Sequence, residues 1–154
     1  MEPGRASKIL VGACVLNMER ISWEEYALRI AQVASMRSED RFKKVGACAL
    51  DKDNRVIGVA YNGLASKKDV EESFWEDRDA RRPYMIHAEA NLLSLFKRGE
   101  CVLLACTLLP CSSCATMIAS YGIKRVIYSE LYTHDDKALD IFKFYGINCE
   151  QYKI

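Results

Sequence analysis

The second half of the chain alternates apolar runs with amphipathic segments, and this alternation is the feature that most restricts the fold. The continuous apolar run CVLLACTL (101–108) is typical of a strand covered on both faces. The following segments predict a helix at 111–122, a strand at 125–129, a helix at 135–146 and an edge strand at 147–154. Strands that alternate with helices pair in parallel through right-handed crossovers. The second half therefore predicts a parallel sheet.

The first half predicts a helix, a strand hairpin and a second helix. SWEEYALRIAQVASMRS (22–38) begins with a capping box and has apolar residues at helical spacing. VGACALD (45–51) and RVIGVAY (55–61) are short apolar strands split by a turn. The polar stretch 62–84 is long enough to be a functional loop or to hold a short helix, and HAEANLLSLFKRG (87–99) is helical. We expect an α/β fold: a three-layer α/β/α sandwich around a mixed five-stranded sheet.

Length and charge restrict the class of protein. The 154 residues suit one domain, 1–154. The formal net charge of +1 gives no reason to expect a stable nucleic-acid partner. No segment approaches the length of a membrane span, and we expect the apolar run at 9–16 to be a buried N-terminal segment. Seven cysteines, an odd number often set in apolar runs, indicate a reducing compartment such as the cytoplasm.

Cys111 and Cys114 in LPCSSCA (109–115) raise a question of chemistry. Three residues apart in the first turn of a helix, they share a face where the helix dipole favours thiolates. A metal site, a redox pair and two buried thiols are all consistent with this spacing alone.

His87 and Glu89 favour the metal site. His87, one of two histidines, stands before another predicted helix and completes a set of three ligands with Cys111 and Cys114. Three protein ligands that leave a position for water are typical of catalytic zinc. Glu89 lies beside this set and can move protons as general acid and base. The H-x-E…P-C-x-x-C pattern resembles the signature of zinc nucleobase deaminases, so we expect one zinc ion per chain and hydrolytic deamination of a base.

Several stretches resemble deoxycytidylate (dCMP) deaminases of the compact phage and bacterial type, within the zinc-dependent cytidine/deoxycytidylate deaminase superfamily. They are RISWEEYALRIAQVASMRS, VGACAL, YNG, HAEANLL, LPCSSCATMIASYGIKRVIY and LYTHDD. The resemblance covers about residues 20–154, and residues 1–19 fall outside it. It implies a cytidine-deaminase-like fold and conversion of dCMP to dUMP, with release of ammonia, as a source of dUMP for thymidylate synthesis.

The resemblance also implies roles for residues around the metal. Asn62 is expected to hold the deoxyribose or phosphate, and Tyr132 to line the nucleotide pocket. The backbone N–H of Ala88 is expected to contact the base carbonyl, and the carbonyl of Leu109 to accept from the amine. The loop RSEDRFKK, here the 37–44 loop, is expected to receive the 5′-phosphate. Its candidate side chains are Ser38, Arg41 and Lys43.

Regulation and assembly follow from the resemblance alone. It implies a homohexamer, activation by dCTP with Mg²⁺ and inhibition by dTTP. Candidate effector residues are Tyr61, Gly63 and Lys44. Ala60 stands directly before YNG, where the family often has glycine, and this puts the effector response in doubt.

Two alternative functions stay open at this point. One is deamination of another cytosine or adenine substrate, whether nucleoside or RNA. The other is a non-catalytic zinc module that binds nucleotide, although a purely structural zinc site would not need a carboxyl group such as that of Glu89.

Overall fold

The fold is seen in a computed structural model, which describes residues 6–11, 14–66 and 68–154. The strands are β1 (Ala6–Val11), β2 (Cys14–Glu19), β3 (Gly46–Leu50), β4 (Val56–Tyr61), β5 (Leu103–Leu108), β6 (Arg125–Glu130) and β7 (Asn148–Gln151). The α-helices are α1 (Trp23–Ser35), α2 (Arg78–Arg81), α3 (Ala88–Leu93), α4 (Ser112–Ser120) and α5 (Ala138–Phe144). Short 3₁₀ helices span Glu72–Trp75 and Arg82–Tyr84.

The central sheet has five strands in the order β4-β3-β5-β6-β7. Strand β3 pairs antiparallel with both β4 and β5, whereas β5, β6 and β7 pair in parallel. The parallel part is the half in which a helix connects each strand to the next, as the alternation of the sequence requires. The predicted mixed five-stranded sheet is confirmed.

Helices cover both faces of this sheet. On one face, Ala27, Leu28 and Ala31 of α1 pack against alternate residues of the central strands. On the other face, α3, α4 and α5 pack through residues such as Leu92 and Ile118. Because successive side chains of a strand point to opposite faces, strands covered on both sides read as continuous apolar runs. The three-layer α/β/α sandwich is therefore confirmed.

Gly46 allows α1 to lie directly on β3. A Cβ atom at this position would come 1.8 Å from the carbonyl oxygen of Ala31, too close for any side chain. The glycine of the VGA stretch thus sets the distance between helix and sheet, and any larger residue here would displace α1.

The helices begin and end near the predicted residues, with two differences. Ser22 caps α1 by accepting a 3.1 Å hydrogen bond from the N–H of Glu25. Helix α3 ends at Leu93 rather than 99, and α5 begins at Ala138 rather than 135. At the first site the chain closes in a tight turn in which the N–H of Leu95 donates to Leu92. For the 62–84 stretch the sequence left a functional loop or a short helix open, and the structure shows short helices there, α2 and the two 3₁₀ helices.

The N-terminal hairpin was not predicted from the sequence. Strands β1 and β2 pair antiparallel from Ala6↔Glu19 to Val11↔Cys14 as a separate two-stranded sheet. The expected burial of the 9–16 run lies outside what the structure describes. At the other end of the chain, Phe142 is buried in the core, whereas Phe144 is 81% exposed.

Candidate zinc and nucleotide site

The three predicted metal ligands lie at the starts of two helices. His87 is the residue before α3, Cys111 the residue before α4, and Cys114 lies in the first turn of α4. Both helices begin after extended residues, and neither has a side-chain cap from its first flanking residue. The sequence therefore places these side chains where helix dipoles favour anionic ligands.

The geometry of the three side chains fits a zinc ion. Their ligand atoms all lie within 4.8 Å of one another. The Nδ1 atom of His87 is 3.4 Å from the Cys111 sulfur and 3.3 Å from the Cys114 sulfur. A tetrahedral zinc site with usual bond lengths places nitrogen and sulfur ligands about 3.5 Å apart. One imidazole and two thiols at these separations match the ligand chemistry of zinc and leave room in its coordination for water.

The two sulfurs compete for one negative charge. The hydrogen bond from Cys114 lowers the pKa of Cys111 to about 3, and the same contact raises the pKa of Cys114. The pKa of His87 is raised, chiefly by its hydrogen bond with Cys111. Two thiolates so close together need a cation between them, which is the situation that a divalent metal relieves.

Glu89 lies in the first turn of α3, beside the metal ligands. Its side chain is 4% exposed, and burial raises the pKa of its carboxyl group above the usual value. A carboxyl group with a raised pKa is suited to accept and return a proton near neutral pH. We name His87, Glu89, Cys111 and Cys114 the metal cluster.

Asp135 fixes the start of the helix that carries both cysteines, a role that sequence reasoning missed. Its Oδ2 atom accepts from the backbone N–H and from the hydroxyl of Ser112, both at 2.8 Å. The backbone bond from Ser112 is the largest cause of a lowered pKa of Asp135. The only signal for it was its place in LYTHDD, because nothing in the sequence pairs residue 135 with residue 112.

Asn62 and Ser38 are buried and bonded to each other. Asn62 Oδ1 accepts from the Ser38 hydroxyl at 2.7 Å and from the Val45 N–H at 2.9 Å. Asn62 Nδ2 donates to the carbonyl of Lys43 at 2.9 Å. The side chain of Asn62 thus holds the 37–44 loop against YNG, and its contact with the sugar or phosphate stays a prediction.

The cations of the 37–44 loop already have partners or face a cleft. Arg41 Nη2 donates to Glu72 at 2.7 Å, and Lys43 pairs with Glu130. Arg41, Lys44 and Ser38 line a cleft of about 340 Å³. The predicted contact of Arg41 and Lys43 with a phosphate would need these two surface ion pairs to open, and such pairs contribute only about 0–1 kcal/mol each.

Ala88 follows His87 directly in the chain, Leu109 comes two residues before Cys111, and Tyr132 packs against the core that contains both Ala88 and Leu109. The Tyr132 hydroxyl accepts a 3.2 Å bond from Arg78, a cation that the sequence analysis did not single out. Ala88 opens α3 and is 1% exposed, and its N–H belongs to the first turn, where helical donors have no intrahelical acceptor. Leu109 follows β5, and its N–H donates to the carbonyl of Glu130. Their substrate contacts stay predictions.

Of the three candidate effector residues, Tyr61 and Gly63 line a second cleft of about 570 Å³, whereas Lys44 lines the first cleft, so the structure does not bring all three together. Gly63 exchanges two backbone hydrogen bonds with Ile86, next to His87. Ala60 lies in β4 opposite Ala47 and is 7% exposed, so a regular strand residue suffices there.

Comparison with known proteins identifies the class. Residues 21–130 match the family described as the cytidine and deoxycytidylate deaminase zinc-binding region. The chain belongs to this family.

Individual relatives give a finer picture. The chain is 36% identical to the deoxycytidylate deaminase of Mycobacterium phage D29 over 125 residues, which cover 72% of this chain and 97% of the phage protein. It is 31% identical to deoxycytidylate deaminase of Homo sapiens over 136 residues, covering 82% of this chain and 75% of the human protein. Its fold is similar to the dCMP deaminase of the cyanophage S-TIM5, solved in complex with dCMP and dUMP. That similarity has a TM-score of 0.72 and 27% identity, and covers 83% of this chain and 95% of the phage chain.

Proposed function

We propose that this chain catalyses the zinc-dependent hydrolytic deamination of dCMP to dUMP. Water and dCMP enter the reaction, and dUMP and ammonia leave it. The observation that carries the proposal is the cluster of His87, Cys111 and Cys114 within 4.8 Å beside the buried Glu89, in a chain of the deoxycytidylate deaminase family. The likeness to a cyanophage enzyme solved with dCMP and dUMP supports dCMP as the substrate.

The residues of the metal cluster divide the chemistry between them. His87, Cys111 and Cys114 would hold zinc, which when bound makes water acidic enough to attack near neutral pH. Glu89 takes one proton from the attacking water and passes it to the ring nitrogen. It then moves the second proton of that water to the amine, so the carbonyl forms as ammonia leaves. Burial favours this shuttle, because a carboxyl group with a raised pKa both accepts and returns a proton readily.

The same proposal assigns the substrate contacts. Asn62, Ala88, Leu109 and Tyr132 hold the nucleoside part, and the 37–44 loop meets the phosphate. Two contacts support this division. Asn62 donates a hydrogen bond to the carbonyl of Lys43 in the loop, and the hydroxyl of Tyr132 accepts one from Arg78. The product, dUMP, would be a substrate for thymidylate synthesis.

Ammonia release from a panel of substrates tests the proposal. The purified protein is incubated with dCMP, deoxycytidine, cytidine and an adenosine-bearing RNA. We expect dCMP to be the preferred substrate. Preference for a nucleoside or for the RNA would show that the chain deaminates another substrate. If none of the substrates releases ammonia, a non-catalytic nucleotide-binding module is favoured.

We further propose regulation by dCTP with Mg²⁺ as activator and dTTP as inhibitor, in a homohexamer. The cleft that contains Tyr61 and Gly63 supports an effector site, because Gly63 is bonded to Ile86, next to the ligand His87. Exposed Phe144 and Tyr145 on and after α5 offer apolar area for an interface. A dCMP saturation curve with and without dCTP and Mg²⁺ tests the first part, and light scattering tests the second.

We also propose that the chain is one deaminase domain that acts in the cytoplasm. Six cysteines within the described residues are free, which supports a reducing compartment. No helix in the described ranges is long and apolar enough to cross a bilayer.

A further inference from the structure

A buried ion pair lies behind the 37–44 loop. Arg81 Nη1 is 2.9 Å from Asp40 Oδ2, and the two side chains are 4% and 7% exposed. The guanidinium of Arg81 stacks 4.4 Å above the centre of the Phe42 ring and lies 5.7 Å from that of Trp75. Arg81 is thus enclosed by the loop on one side and by the segment before the metal ligands on the other.

Asp40 uses its other oxygen to shape the loop. Its Oδ1 atom accepts from the backbone N–H of Phe42 at 2.7 Å and of Lys43 at 3.0 Å. The turn that presents Lys43 therefore depends on the Asp40 side chain, and the orientation of that side chain depends on Arg81.

Two further contacts close a ring of three chain segments. Asn62 holds Lys43 and Val45 from the other side of the loop. Gly63, the next residue, exchanges hydrogen bonds with Ile86 at 3.0 and 2.7 Å. Because Arg81 and Ile86 belong to one segment, the ion pair and the Gly63–Ile86 bonds together fix the loop relative to His87.

The ion pair is not arranged for stability alone. Burying two charges costs several kcal/mol of desolvation, and apolar replacements of similar volume are often as stable. Arg81 Nε is moreover a buried nitrogen with no hydrogen-bond partner among the described residues. A pair that leaves a donor unsatisfied suits a positional role, since its bonds specify one loop conformation.

We propose that Asp40 and Arg81 are positioning residues that hold the 37–44 loop for the phosphate and so set the preference for nucleotide over nucleoside. This inference rests on the proposed dCMP deaminase function. Neither residue belongs to the metal cluster, so deamination of a substrate without phosphate does not depend on them. The loop cations Arg41 and Lys43 are exposed and paired at the surface, whereas the buried ion pair ties the loop backbone near them to the segment that precedes His87, alongside the bonds from Asn62.

The test uses Arg81→Met, Asp40→Asn and the charge-conserving Arg81→Lys. For each variant kcat and KM are measured on dCMP and on deoxycytidine, together with zinc content and melting temperature. We expect Arg81→Met and Asp40→Asn to raise KM for dCMP at least about tenfold, the size of one lost charged hydrogen bond. We expect kcat/KM for deoxycytidine to stay within about threefold, the pattern of lost binding to the phosphate alone. Arg81→Lys should fall between these variants and the wild type.

Arg29→Met is the matched control, because Arg29 forms an exposed pair with Glu25 on α1. It should leave both substrates unchanged. The double variant Asp40→Asn with Arg81→Met should be no worse in KM for dCMP than either single variant, because the two residues act as one unit.

Equal losses on dCMP and deoxycytidine would overturn the inference, since they would show a purely structural role. Unchanged KM for dCMP would overturn it as well. If Arg81→Met fails to fold, Arg81→Lys decides the question by the ratio of the two substrates. The wild-type protein is measured first. If it does not deaminate dCMP, both the proposed function and this inference are contradicted.

Discussion

The metal cluster and the 37–44 loop treat charge in opposite ways. In the metal cluster two thiols and a buried carboxyl group lie together, and His87 Nδ1 is within 3.4 Å of both sulfurs. In the loop three charged side chains have partners of opposite charge. Arg41 pairs with Glu72, Lys43 with Glu130 and Asp40 with Arg81. The cluster needs an added cation to neutralise its charge, whereas Asp40, Arg41 and Lys43 are each paired with a charged side chain from another part of the chain.

This difference teaches which part of the site tolerates change. Removing one of the three metal ligands, His87, Cys111 or Cys114, should abolish metal binding, so its effect should be close to all-or-none. Removing one loop contact leaves other contacts that still hold the loop, so the loss of activity should be partial. We therefore expect larger losses of activity from changes to the metal ligands and Glu89 than from changes to the loop.

Loss of a zinc ligand should have the largest effect. Cys111→Ala removes one of two thiols, and we expect the purified variant to contain no zinc and to show no deamination above background. Metal analysis and ammonia release measure both. Cys149→Ala in β7 is the matched control, because that cysteine is free and lies outside the metal cluster. Zinc at wild-type content in Cys111→Ala would show that the ligand set is wrong.

Glu89→Gln should come next and should separate metal binding from catalysis. The amide keeps the shape of the side chain but cannot shuttle a proton, so turnover should fall by about 10²–10⁴-fold with zinc retained. Measuring kcat beside zinc content checks this, with the exposed Glu150→Gln as control. A fall of less than about tenfold would mean that another group moves the protons.

The phosphate should contribute less than the metal cluster. We expect kcat/KM for dCMP to exceed that for deoxycytidine by at least about a hundredfold, because two charged contacts are worth about 3 kcal/mol or more. Steady-state kinetics on both substrates gives the ratio. Equal values would mean that the balanced ion pairs of the loop do not open for a phosphate.

The smallest effect is expected at the cap of α4. Asp135→Ala removes the oxygen that accepts both hydrogen bonds from Ser112, and loss of a helix cap costs about 1 kcal/mol of unfolding free energy. Urea denaturation measures the change, and Asp136→Ala, an exposed neighbour, is the control. The cap holds the helix of Cys111 and Cys114, so the variant should also lose zinc to a chelator faster. If the variant is as stable as the control, Asp135 does not stabilise the helix that carries Cys111 and Cys114.

The metal cluster could be predicted from the sequence because it is made of two short motifs. Cys111 and Cys114 lie in one helix turn, so helical geometry brings that pair together. The H-x-E…P-C-x-x-C pattern joined them to Glu89 and to His87, 24 positions before Cys111. The layers of the fold could be predicted for a similar reason, since periods of apolar residues report which face is buried. The N-terminal hairpin could not, because its apolar run fits a strand and a buried segment equally well.

The sequence by itself predicted the candidate ligands and the proton shuttle through two short motifs, and the strands and helices after residue 20 through the periods of their apolar residues. Tertiary structure alone decided that Asp40 meets Arg81 and that Asp135 meets Ser112, across 41 and 23 positions. No local pattern marks such pairs, since a charged residue in a polar loop looks the same whether water or a distant partner satisfies it. Only packing of the segments removes the water and thereby selects the partner.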